Sequence, residues 1–156
     1  GSVVVFHSNA TNLDVLDANG VVDVFLRDRA TPSTQLVSAT IAGAGGNSVS
    51  SNANLSGNGV YVVFESLASD LVADDTNGIK DIFVRDLSAV DVNSNPVVDI
   101  ERVNIPYSSL EAVSPALQPV ISADGRYTGF HSIEQYTIDD TTTFNDVFRA
   151  YNSTYE

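Results

Sequence analysis

The chain has 156 residues, with 20 acidic against 7 basic side chains and a formal net charge of −13 at pH 7. Only one basic residue is a lysine, Lys80. This composition argues against nucleic acid and anionic membranes as partners, because both need clustered Lys and Arg. Cysteine is absent, which removes disulfides, thiolate zinc sites and cysteine nucleophiles, and no apolar run approaches a membrane span.

Gly1 and Ser2 read as the remnant of a cleaved tag and are set aside. The first predicted strand is 3–8, Val3-Val4-Val5-Phe6-His7-Ser8. The next are 23–28 (Asp23-Val24-Phe25-Leu26-Arg27-Asp28) and 34–38 (Thr34-Gln35-Leu36-Val37-Ser38). Strand 53–55 runs into the turn Gly57-Asn58-Gly59 and then strand 61–66. The segment 67–72 has room for one helical turn at most. Strands 81–86 and 100–104 follow, then 119–122, the turn Asp124-Gly125, and strands 127–132 and 146–149. Each strand is short, rich in Val, Ile, Phe and Tyr, and bounded by Gly, Asn, Asp and Ser. The two Gly turns suit hairpins. No sustained period of 3.6 is present. The chain is expected to be all-β.

The strands recur in order. Phe6, Phe64 and Phe130 align at steps of 58 and 66 residues, and Phe25, Phe83 and Phe148 follow them. Such self-similarity marks a repeat architecture. It divides a single domain, 3–156, into units of about 3–50, 51–113 and 114–156. Four antiparallel strands per unit describe a β-propeller blade.

The run Ile121-Ser122-Ala123-Asp124-Gly125-Arg126-Tyr127, with Phe130 after it, resembles the bacterial TolB-like (WD-like) propeller repeat. The run Asp75-Thr76-Asn77-Gly78-Ile79-Lys80-Asp81-Ile82-Phe83-Val84-Arg85-Asp86 is similar to that family's third-strand motif. The third unit departs from the pattern, with Thr143 in place of Gly78 and Ala150-Tyr151 in place of the Arg-Asp end. The resemblance implies a bacterial periplasmic or extracellular setting. The strands amount to about two and a half blades, whereas a ring needs 4–8. Either the chain is a piece of a longer propeller, or further copies of it complete a ring. A β-sandwich is the competing fold, but it would not explain the repeat. With one lysine to protect them, exposed strand edges are expected to pair.

The connection before each third strand carries the most suggestive chemistry. It reads Asp-x-Asn-Gly-x-x-Asp in the first two units. Calcium loops place hard oxygen donors at alternate positions around a Gly turn. Asp17, Asn19, the Val21 carbonyl and Asp23 have that spacing, as do Asp75, Asn77, the Ile79 carbonyl and Asp81. Asn12 and Asp70, five residues ahead of each set, can curl back as further ligands. Asp140 and Asp146 frame the third loop, which lacks the Asn and Gly. Val15 and Ala73 stand where a full loop has another acid, and no Glu closes the far end. A calcium ion here is expected to be structural and weakly held, at roughly 10⁻⁴–10⁻³ M. The competing reading is an Asx-turn, in which Asp and Asn bond nearby backbone N–H groups.

His7, Glu65 and His131 share one register and are expected to face away from the core Phe. Arg27-Asp28 and Arg85-Asp86 are expected to form ion pairs between strands or blades. Ser8, Ser66 and Ser132 lie in no nucleophile elbow. Asp74-Asp75 and Asp139-Asp140 read as loop solvation or metal ligands. Tyr107, Tyr136 and Tyr155 lie off the core pattern. The expected function is a non-enzymatic binding or scaffold module, with a protein or further copies of itself as partner. The alternatives are a self-assembling ring unit and a fragment of a propeller hydrolase.

Overall fold

The computed structural model describes residues 2–89, 97–108 and 111–153; Tyr155 lies outside them. It contains ten strands: β1 (Val3–Ser8), β2 (Asp23–Asp28), β3 (Ser33–Leu36), β4 (Ser50–Leu55), β5 (Tyr61–Ser66), β6 (Asp81–Asp86), β7 (Asp99–Arg102), β8 (Leu117–Ile121), β9 (Tyr127–Ser132) and β10 (Asp146–Tyr151). They form three antiparallel sheets, ordered β1-β2-β3, β4-β5-β6-β7 and β8-β9-β10. No sheet of the described residues closes into a barrel. Among the described residues there is no helix, and so none long and apolar enough to cross a membrane. The segment 67–72 forms bends rather than a helical turn.

Strand positions agree with the sequence reading, but some ends move. Strand 34–38 stops at Leu36 because Val37 and Ser38 both turn their N–H groups to the Val24 carbonyl. Strand 100–104 ends at Arg102, and Val103 bonds Ile82 in the same way.

Within each sheet a pair of phenylalanines faces across neighbouring strands: Phe6 with Phe25, Phe64 with Phe83, and Phe130 with Phe148. Their ring centroids lie 5.8, 5.9 and 5.9 Å apart. Alternation along the strand sets the packing between sheets. Phe64, Phe83 and Val62 pack against Val24 and Leu26 of the first sheet and Val37 just past its last strand. Tyr61, Val63, Ile82 and Val84, on the opposite face, pack against Phe130 and Phe148 of the third. Every residue of β5 and β6 is therefore buried. Burial of each large side chain contributes about 1.5–3 kcal/mol. The outward face of the third sheet is open, with Val147 84% and Tyr151 55% exposed.

Two hairpins repeat one design. Asn58 Oδ1 accepts the Val60 N–H and the Ser56 hydroxyl; Asp124 Oδ1 accepts the Arg126 N–H and the Ser122 hydroxyl. Gly59 and Gly125 take φ values of 75° and 84°, as these turns require. Before each hairpin, β4 and β8 break register at matching places. Asn52 and Gln118 sit in those breaks with φ of 51° and 53°, a left-handed conformation that costs a residue with a Cβ. Both line an open groove of about 580 Å³ between β1, β4 and β8.

Candidate metal centre

Each acidic loop delivers its last aspartate to the start of a strand: Asp23 to β2, Asp81 to β6 and Asp146 to β10. Asn19 Oδ1 accepts the Val21 N–H at 3.0 Å, and its Nδ2 donates to Asp23 at 2.6 Å. Asn77 does the same with Ile79 at 3.0 Å and Asp81 at 2.8 Å. In the third loop the Thr142 hydroxyl replaces the amide and donates to Asp146 at 2.8 Å, while the Thr142 N–H donates to Asp140 at 3.2 Å. The Asx-turns are thus formed, and the Asn carbonyl oxygens are used within them. Val21 and Ile79 enter these turns through their N–H groups.

The other oxygen of each buried aspartate meets a residue just past the neighbouring strand. The Ser38 hydroxyl donates to Asp23 at 2.6 Å and accepts the Val24 N–H at 3.0 Å. Asn104 Nδ2 donates to Asp81, and its Oδ1 accepts the Ile82 N–H at 2.7 Å. Sequence reasoning did not single out Ser38 and Asn104 as site residues. Their signal was present, since each ends the same repeated segment one unit apart.

In the second loop, ligand atoms of Asp75, Asp81 and Glu111 lie within 4.8 Å of one another, close enough to hold a metal ion. The guanidinium of Arg102 stands among them. Its Nη1 lies 2.7 Å from Glu111 and 3.6 Å from both Asp75 and Asp81. Its Nη2 donates to the second Glu111 oxygen at 3.1 Å. Burial pushes Asp75 up to about 6, the Asp81 charge adds to the rise, and Arg102 opposes it. Burial likewise raises Asp81. The hydrogen bond from Arg102 holds Glu111 below its ordinary value. Glu111 was also absent from the sequence reading, because it arrives from a loop 30 residues past Asp81.

The first loop contains no such cation. Asp17 is 3% exposed; among the described residues no side chain bonds either carboxylate oxygen, and only the Asn19 backbone N–H acts on them. Burial raises it, as it raises Asp23, and the charges of Asp17 and Asp70 push Asp23 further. Asn12 is exposed. Asp70 corrects an expectation: it does not curl back to Asp75 but accepts the Asn47 N–H at 2.9 Å, beside the first loop. Asp140 and Asp146 are half-buried and linked through Thr142.

Glu65 lies on the face of β5 opposite Phe64, and that face is covered: Glu65 is 1% exposed and takes Lys80 Nζ at 2.5 Å, Asn52 Nδ2 at 2.8 Å and the Gln118 N–H at 3.2 Å. A carboxylate fits there because a cation and two amide donors converge on it. Arg85 changes an expectation: it forms no ion pair among the described residues, and its Nη1 donates to the carbonyls of Leu36 at 2.7 Å and Val37 at 2.8 Å. Arg27 donates to the Thr34 hydroxyl. The Ser66 and Ser132 hydroxyls bond to the Val49 and Pro115 carbonyls. The chain matches no protein-family model and no curated protein.

Proposed function

We propose that this chain is a non-enzymatic binding and scaffold module, a partial propeller of the TolB-like kind whose three sheets are consecutive blades. The observation that carries the reading is the free edge of β1. In the middle sheet β5 lies between β4 and β6, and in the third β9 lies between β8 and β10. Among the described residues the matching strand of the first sheet, β1, has β2 on one side only, and the groove of about 580 Å³ opens along it. Backbone groups at such an edge favour addition of an extended strand. That strand comes from the rest of a longer protein or from another copy of the chain. The open Val147 face of the third sheet is a second surface for either source to cover, since the same face of the middle sheet is covered by a neighbour. The acidic loops are structural cation sites, and their carboxylate donors suit calcium's preference for hard oxygen. A periplasmic or extracellular setting accords with such sites and with the family resemblance.

The test uses a synthetic peptide copying residues 48–59, which contain the inner strand of the middle unit. It is expected to raise the thermal midpoint of the chain, while a scrambled peptide does not. Light scattering decides the source: a multiple of 16.6 kDa that Val147→Asp reduces to the monomer identifies copies as the partner. No midpoint shift, with a monomer indifferent to Val147→Asp, would overturn the reading.

A further inference from the structure

The first two acidic loops share one motif but differ in what stands over it. Opposite the strand's Phe, the second unit carries Arg102 and the first carries Leu36. Glu111 stands seven residues after Asn104, and Gly45 stands seven after Ser38. The guanidinium and its carboxylate partner are therefore missing together from the first unit. The space left is narrow: a Cβ at Gly45 would come 2.7 Å from Asn19 Nδ2.

We propose that the first loop binds a divalent cation, calcium by its donor chemistry, through Asp17 and Asp23, and that in the second loop the Arg102 guanidinium takes the cation's place. The inference rests on reading these loops as cation sites. A buried ionised carboxylate is costly unless a positive charge or hydrogen bonds compensate it. Asp75 has Arg102 3.6 Å away. Asp17 is as little exposed and has no cation among the described residues; only the Asn19 backbone N–H acts on its carboxylate, and no side-chain donor reaches either oxygen. Acceptors converge at Asp23, on which the charge of Asp17 also acts. Asn19 Nδ2 bridges Asp23 and the Gly46 carbonyl at 2.6 and 2.8 Å, and Asp70 lies near enough for its charge to act on Asp23. An ion entering there takes over acceptors that one amide now holds. In the second loop a metal must first displace a guanidinium bound bidentately to Glu111, an exchange that strong charge-assisted bonds resist.

The experiment is an NMR titration of the metal-stripped whole chain with calcium chloride, with magnesium chloride as the control. Amides of 17–23 are expected to shift saturably in the millimolar range, with those of 75–81 unmoved. Asp17→Asn should weaken that binding at least tenfold, and Asp75→Asn should leave it unchanged. Arg102→Leu, which installs the first unit's residue, should create a second saturable site at 75–81. Arg102→Gln serves the same purpose should the leucine variant lose its native amide dispersion. Equal shifts in both loops of the unaltered chain would overturn the division of roles while sparing the cation reading. No saturable shift in either loop, with or without Arg102, would overturn both.

Discussion

The ring of Tyr61, at the start of β5, fills the space that a side chain at Gly125 would need. Gly59, the equivalent turn residue in the preceding unit, has the same left-handed backbone but nothing within 4 Å of its Cβ position. The two glycines thus share one conformational requirement, and only one carries a packing requirement. Gly59→Ala should cost roughly 1–2 kcal/mol, the strain of a left-handed residue with a Cβ. Gly125→Ala should cost about 2–3 kcal/mol more, because a rigid buried ring must shift. Urea denaturation of both variants measures the difference; equal losses would mean that Tyr61 moves aside freely.

Glu65 ties three elements together: the break in β4 at Asn52, the break in β8 at Gln118, and Lys80 ahead of β6. Glu65→Ala leaves those donors unmet and should cost about 3 kcal/mol. Lys80→Ala should cost about 1 kcal/mol, since the Lys80 side chain is 31% exposed and the two amide bonds survive. Chemical denaturation checks both. A Glu65→Ala loss no larger than that of Lys80→Ala would show that the left-handed residues hold themselves.

The acidic loops make stability depend on pH. Asp75 is pushed up to about 6 in the folded chain, against an ordinary value of 3.8. The folded state therefore holds its proton more tightly than the unfolded state does. Asp75's contribution to stability is fully present below the unfolded value and is lost as pH rises from about 4 through about 6. In EDTA, Asp75→Asn should flatten that fall and give a higher thermal midpoint than the unaltered chain at pH 7. The difference should shrink below pH 5. A variant less stable than the parent at pH 7 would show that the pairing of Asp75 with Arg102 outweighs its burial.

Arg85 joins the middle sheet to the first through the Leu36 and Val37 carbonyls, and burial pulls its guanidinium below its ordinary value. Arg85→Ala removes both bonds from a buried place and should cost about 3 kcal/mol. Arg85→Lys should recover part of that loss, because one ammonium can reach a carbonyl. Hydrogen exchange of the amides at 36–38 should rise in the alanine variant alone.

Ten strands, their order and both Gly hairpins were legible in the sequence, because period-two patterning and turn chemistry are local properties. The repeat placed Phe6, Phe64 and Phe130 in one register for the same reason. The Asx-turns at Asn19 and Asn77 were legible too, as a side chain reaching two residues along its own chain. What surrounds those turns was not. Arg102 and Glu111 reach Asp75 from distant segments, Asp70 serves the first loop rather than the second, and Glu65 is buried only because β8 lies over it. These facts depend on which segments the stacking of sheets brings together, and only the tertiary structure decides that. Sequence alone determined a chain of short strands with acidic turns. Long-range packing decided which of those acids meets a cation of its own and which stands buried without one.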